Sequence, residues 1–222
     1  MNIIAIQKLP ETQECILFFN GWGMDHNAIQ HLTTSNYDVY MCNDYSDVTI
    51  DFSILEKYTK IHIIAWSMGV WACMKVQSKL PHSIATSIAI NGTEQPMHDT
   101  MGIATAIFKG TIDAWNDDAR TKFTMRMCGS RSEWIGCKPY MSERKSEEQK
   151  HELQNIYNII TEDSQVFPFK WSAVVIGERD LIFTAENQKN YWQSHIKRFI
   201  LPIPHFPFAD IITWDKILTW AE

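Results

Sequence analysis

Ile61-His62-Ile63-Ile64-Ala65-Trp66-Ser67-Met68-Gly69-Val70-Trp71-Ala72 is a β-branched apolar run that passes through a serine straight into a helix-forming segment. Small residues lie two places either side of the serine. A serine held on a sharp strand-to-helix turn needs that pattern, because bulky flanking side chains would collide where strand and helix meet. The usual form is G-x-S-x-G; Ala65 replaces the first glycine, and alanine is the next smallest residue. The stretch therefore predicts an open α/β sheet with a nucleophilic Ser67 at its carboxyl edge.

Working outward, short apolar runs alternate with helical patterns, the signature of a mostly parallel sheet with crossover helices. Strands are expected at 2–7, 14–19, 37–42, 60–65, 85–90, 172–176 and 196–201, and helices at 27–33, 52–58, 68–79, 185–194 and 209–221. No helix separates the first two strands, so they are expected to pair antiparallel at one edge. Residues 94–165 break the rhythm, with helical pieces at 102–108, 117–128 and 143–160. We expect residues 1–93 and 166–222 to form the core domain, and 94–165 to be a helical cap inserted after the strand that follows the nucleophile helix.

Composition narrows the function. The 222 residues carry a net charge of −6, which argues against non-specific binding to nucleic acid. Apolar residues make up 45% and charged residues 21%, as in ordinary globular proteins. Five scattered cysteines read as free thiols, no CxxC or HExxH supports a metal site, and no cofactor is implied. The opening residues read as a strand rather than a signal peptide, and no run approaches membrane-spanning length. A cytoplasmic protein without membrane association, and a monomer, is expected.

A serine nucleophile needs a base, and the base needs an orienting acid; in α/β-hydrolases the chain order is Ser, acid, His. Asp180 follows a strand in Val174-Val175-Ile176-Gly177-Glu178-Arg179-Asp180, and Glu178 falls earlier in the turn. His205 lies in Pro202-Ile203-Pro204-His205-Phe206-Pro207-Phe208, a loop stiffened by three prolines. The oxyanion donors are expected to be the backbone N–H groups of Met68, at a helix start, and of Trp22, between Gly21 and Gly23. Asn91 ends the strand beside the elbow and is expected on the pocket floor. Gly21, Trp66, Phe123 and Trp115 complete the expected substrate-binding set.

Several of these segments in order, NGWGMD at 20–25, AWSMGVW at 65–71, AINGT at 89–93, GTIDAW at 110–115, RTKFTMRMCG at 120–129, GERD at 177–180 and PHFPF at 204–208, resemble the BioG type of pimeloyl-acyl-carrier-protein methyl ester esterases. The likeness extends over nearly the whole chain. It implies an α/β-hydrolase that frees pimeloyl-carrier protein and methanol in biotin synthesis, with Ser67 as nucleophile, Asp180 as acid, His205 as base, and Trp22 and Met68 as oxyanion donors. It also implies an acyl carrier protein as partner. The charge pattern bears on that partner: 120–145 holds seven basic residues against two acidic, a net of +5, leaving −11 for the remainder. Arg120, Lys122, Arg126 and Arg131 are the candidate docking residues for an acidic carrier. The alternatives are a general short-chain carboxylesterase or thioesterase, and a hydrolase-fold binding protein without catalysis.

Overall fold

The computed structural model describes residues 1–195 and 197–222. Seven strands form one sheet: β1 (Asn2–Gln7), β2 (Glu14–Phe19), β3 (Asp38–Asn43), β4 (Lys60–Trp66), β5 (Ile84–Ile90), β6 (Ala173–Arg179) and β7 (Arg198–Pro204). Their order is β1-β3-β2-β4-β5-β6-β7, and every neighbouring pair is parallel except β1 with β3. The strand expected from 196 begins at Arg198; Ile196 lies outside the described residues.

The antiparallel pair is at the edge, as expected, but its partners differ. Cys15 to Phe19 of β2 are fully buried, so this strand needs parallel neighbours on both sides and takes β3 and β4. β1 has only exposed and half-buried residues and pairs with β3 instead, Asn2 opposite Asn43. At the other edge β7 carries Pro202 and Pro204, which cannot donate to a further strand.

The helices are α1 (Met68–Val76), α2 (Thr105–Ala114), α3 (Asp117–Met127), α4 (Arg131–Cys137), α5 (Ser146–Glu162), α6 (Ala185–Tyr191) and α7 (Trp214–Leu218). Segments 27–33 and 52–58 hold only single 3₁₀ turns, His26–Ala28 and Ser53–Leu55. They are too short to propagate a helix. Thr33 is also drawn away into a bridge with Thr213, giving Thr33 N–H to Ile212 O and Trp214 N–H to Thr33 O. The same bridge breaks the helix expected over 209–221, and the Thr213 side chain caps a shorter one.

Four helices, α2 to α5, intervene between β5 and β6. The short α4 was not expected. Its signal is nonetheless present in the S-x-x-E spacing of Ser130 and Glu133, where Ser130 Oγ accepts from Glu133 N–H at 3.2 Å. Among the described residues, no helix is long and apolar enough to cross a membrane.

Candidate active site

Three loops at the carboxyl ends of β4, β6 and β7 bring Ser67, Asp180 and His205 into one hydrogen-bonded chain. Ser67 sits between β4 and α1 at φ 58°, ψ −125°, a backbone conformation that side chains rarely adopt. The space around it explains the glycines. A Cβ on Gly69 would lie 2.2 Å from Phe19 O, and one on Gly92 would lie 2.3 Å from Ser67 O. The AINGT segment thus acts as the surface on which the elbow rests.

His205 Nε2 stands 3.0 Å from Ser67 Oγ, and Nδ1 stands 2.8 Å from Asp180 Oδ2. All three residues are buried. Asp180 Oδ1 accepts the N–H groups of Ile182 and Phe183 at 2.8 and 2.9 Å, and Oδ2 also accepts from Gln188 Nε2 at 3.0 Å. These donors fill the other acceptor positions of the carboxyl group, and the histidine ring spans the gap with Nδ1 toward Asp180 and Nε2 toward Ser67. Gln188, fully buried on α6, escaped the sequence reading; an i+8 polar residue after an acid gives no recognisable spacing. Glu178, the weaker acid candidate, is exposed.

The histidine loop is fastened from behind. The His205 carbonyl accepts from Trp66 Nε1 at 2.8 Å and from Asn91 Nδ2 at 3.0 Å, and its ring stacks on Phe183. Asn91 also donates to Pro204 O and accepts Gly177 N–H through Oδ1. Trp66 and Asn91, expected against the substrate, are fully buried, and their polar side-chain atoms are bonded to the β6 and β7 loops, where they hold His205 in place. Gly21 is likewise buried: a Cβ there would come within 2.8 Å of the Trp66 ring, so its smallness serves packing.

The N–H groups of Trp22 and Met68 have no protein acceptor among the described residues. The Trp22 loop is clamped by α5. Trp22 Nε1 donates to Gln149 O, Gln149 Nε2 donates to Gly23 O, both at 2.8 Å, and Gly23 N–H donates to Glu152 Oε2. Glu152 also takes Tyr45 N–H and pairs with Arg144 at 2.5 Å. Burial pushes the Glu152 carboxyl above the usual range, and the Arg144 charge and the hydrogen bonds oppose that shift.

Beside Met68 opens an apolar cavity of about 150 Å³, lined by Trp22, Ile103, Phe108, Phe123, Leu153 and Ile182, with Arg126 also on its wall. Trp115 lies outside it, against Trp22 at 4.5 Å between ring centroids. Of the four docking candidates, Lys122, Arg126 and Arg131 are exposed. Arg120 is half-buried and already engaged, donating to Arg144 O and pairing with Asp117. Arg144, counted in the basic run, is held by Glu152 inside the fold. Among the described residues, no group of three or more His, Cys, Asp or Glu side chains could hold a metal ion.

Comparison with known proteins places this geometry. The family model described as pimeloyl-ACP methyl esterase BioG matches residues 6–217. An uncharacterized protein of Haemophilus influenzae is 34% identical over 92% of this chain and 94% of its own length. The crystal structure of BioG from Haemophilus influenzae superposes with a TM-score of 0.88 at 32% identity, covering 97% of this chain and 99% of that one. A malonyl-[acyl-carrier protein] O-methyltransferase of Bacteroides fragilis is 41% identical over 84% of this chain, but the match spans only 38% of that longer protein. A lipase-esterase related protein from Clostridium acetobutylicum, at TM-score 0.65 and 11% identity over 94% of this chain and 93% of that one, shares the fold alone.

Proposed function

This chain belongs to the BioG family of pimeloyl-ACP methyl esterases, and from that premise we propose that it cleaves the methyl ester of a carrier-bound pimeloyl chain through an acyl-enzyme on Ser67. The observation that carries the mechanism is the unbroken chain Ser67 Oγ, His205 Nε2, His205 Nδ1, Asp180 Oδ2 at 3.0 and 2.8 Å. His205 takes the serine proton as Oγ attacks the ester carbonyl, then gives it to the departing methoxide, which leaves as methanol. Water, deprotonated by His205, releases the acid. The N–H groups of Trp22 and Met68 face the charge that develops on the carbonyl oxygen. The apolar cavity beside Met68 suits the methylenes, and we propose that residues 94–165 act as its cap.

The relation to the methyltransferase from Bacteroides fragilis fits this reading. An enzyme that methylates a carrier-bound diacid creates the group this chemistry removes. The exposed Lys122, Arg126 and Arg131 supply a cationic approach for an acidic carrier.

The test is hydrolysis of pimeloyl-carrier methyl ester at low and high salt. Cleavage is expected, with kcat/KM falling several-fold as ionic strength rises from about 0.05 to 0.5 M while hydrolysis of dimethyl pimelate holds steady. Cleavage of p-nitrophenyl acetate with none of the carrier ester would leave a general esterase in its place. Gln188→Met removes one donor from Asp180 while preserving bulk; kcat is expected to fall roughly tenfold with KM little changed, the scale of one charge-assisted hydrogen bond. Steady-state kinetics checks this, and an unaltered kcat would show that Gln188 does not orient the acid.

A further inference from the structure

Glu94 is a buried carboxyl that the mechanism above does not use. It lies just beyond β5 and is 2% exposed. Its Oε1 accepts Phe169 N–H at 2.7 Å and Trp171 Nε1–H at 2.9 Å, and its Oε2 accepts the Tyr191 hydroxyl at 2.6 Å. One carboxyl thus joins the start of the inserted segment to the chain returning from it, and joins both to α6. Burial pushes this carboxyl above the usual range, against the pull of its three donors. An apolar side chain would pack there without that desolvation cost.

What the carboxyl holds is the helix beside the catalytic acid. Tyr191 and Gln188 are three residues apart on α6 and share one side of it. Gln188 Nε2 donates to Asp180 Oδ2 at 3.0 Å. The other side chains that fasten α6, Asn187, Asn190 and the capping Trp192, donate to the backbone carbonyls of Gly102, Thr100 and Gly92. Outside the acid loop, and among the described residues, Glu94 alone offers α6 a carboxyl group, the stronger acceptor when ionised.

We propose that Glu94 is a positioning residue for the reaction: by holding Tyr191 it sets where α6 presents Gln188 to Asp180. This rests on the reading of Ser67, His205 and Asp180 above. Gln188 and Tyr191 are one helical turn apart on a stiff element, so a shift at one carries the other with it. Small misplacements behind a catalytic group are felt in rate more than in affinity. The stem of the inserted segment and the orientation of the acid are thereby tied through one carboxyl.

A double-mutant cycle tests this. Tyr191→Phe cuts the link and keeps the ring, Gln188→Met removes the donor to Asp180, and kcat for p-nitrophenyl acetate is read well below the melting transition. Tyr191→Phe is expected to lower kcat roughly fivefold with KM little changed, the scale of one hydrogen bond. Added to Gln188→Met it is expected to cost less than about twofold more, since both changes act on one contact. Glu94→Gln can re-form the bond, its Oε1 accepting from Phe169 and Trp171 and its amide donating to the Tyr191 oxygen, and is expected to stay within about threefold of wild type. An unaltered kcat in Tyr191→Phe, or losses that multiply to roughly fiftyfold in the double variant, would overturn the proposal, because a merely structural bond does not couple to Gln188. A greater loss in Glu94→Gln than in Tyr191→Phe would overturn it as well. This substrate needs no carrier, so a failure of the carrier-ester reading shows separately in the hydrolysis assay.

Discussion

Ser67→Ala is expected to reduce hydrolysis of the carrier ester by at least about 10⁴-fold, because the proposed acyl-enzyme forms on Ser67 and the remaining contacts would supply only residual rate. The fold should survive. Among the described residues Ser67 Oγ bonds only to His205, and alanine tolerates φ 58° about as poorly as serine does, so the elbow's strain is unchanged. Single-turnover kinetics beside a melting curve checks both halves. A variant that melts with the wild type and keeps turnover within about tenfold would remove Ser67 from the mechanism. A parallel loss of labelling by a serine-directed fluorophosphonate would tie the lost rate to this hydroxyl.

Gly69→Ala is expected to damage stability and rate together. The new methyl would lie 2.2 Å from Phe19 O and 2.6 Å from Asn20 O, contacts no real Cβ makes. Neither obstacle is a flexible side chain. Phe19 ends β2, locked between β3 and β4, and Asn20 leads into the loop that carries the Trp22 N–H. Relief therefore requires α1 to lift from the sheet or that loop to shift. Overpacking against backbone costs about 3 kcal/mol or more, which lowers Tm by roughly 6–12 °C in a chain of this size. On the proposed mechanism, moving the Trp22 N–H would cost a further factor of about 10²–10³ in kcat for the folded fraction, on the order of one oxyanion contact. Calorimetry and kcat measured well below the transition separate the two. A Tm within about 2 °C of wild type would mean that the close approach of α1 to β2 is not as described.

The sheet was legible because its strands announce themselves: β4 and β2 are continuous apolar runs, and only strands buried on both faces read that way. The order of Ser67, Asp180 and His205 was legible for a similar reason, since each follows a strand and sheet topology gathers strand ends at one edge. What the chain did not disclose are contacts between residues distant in sequence. Asn91 and Trp66 look like pocket residues by position, yet their side chains bond to the His205 loop, and only the gathering of the β4, β5 and β7 ends reveals it. Arg144 reads as surface charge until Glu152, eight residues on, is seen to be buried beside it. The β1 pairing failed because adjacency in sequence is a weaker guide than burial. The α4 start is written in the Ser130 and Glu133 spacing, but charged neighbours obscure the pattern.

The clamp of α5 on the Trp22 loop makes that helix and the loop one mechanical unit. Swinging α5 outward would break Trp22 Nε1 from Gln149 O and Gly23 N–H from Glu152, and would release the N–H proposed as an oxyanion donor. A hinged lid, open for loading and shut for chemistry, would have to rebuild its catalytic geometry on every turnover. On the proposed function, this architecture favours threading instead: an acyl chain would enter end-on, ester first, between walls that stay assembled, and the product would back out the same way. A carrier at the mouth would then act as a stopper, and how far its tether reaches would decide which carbonyl arrives at Ser67.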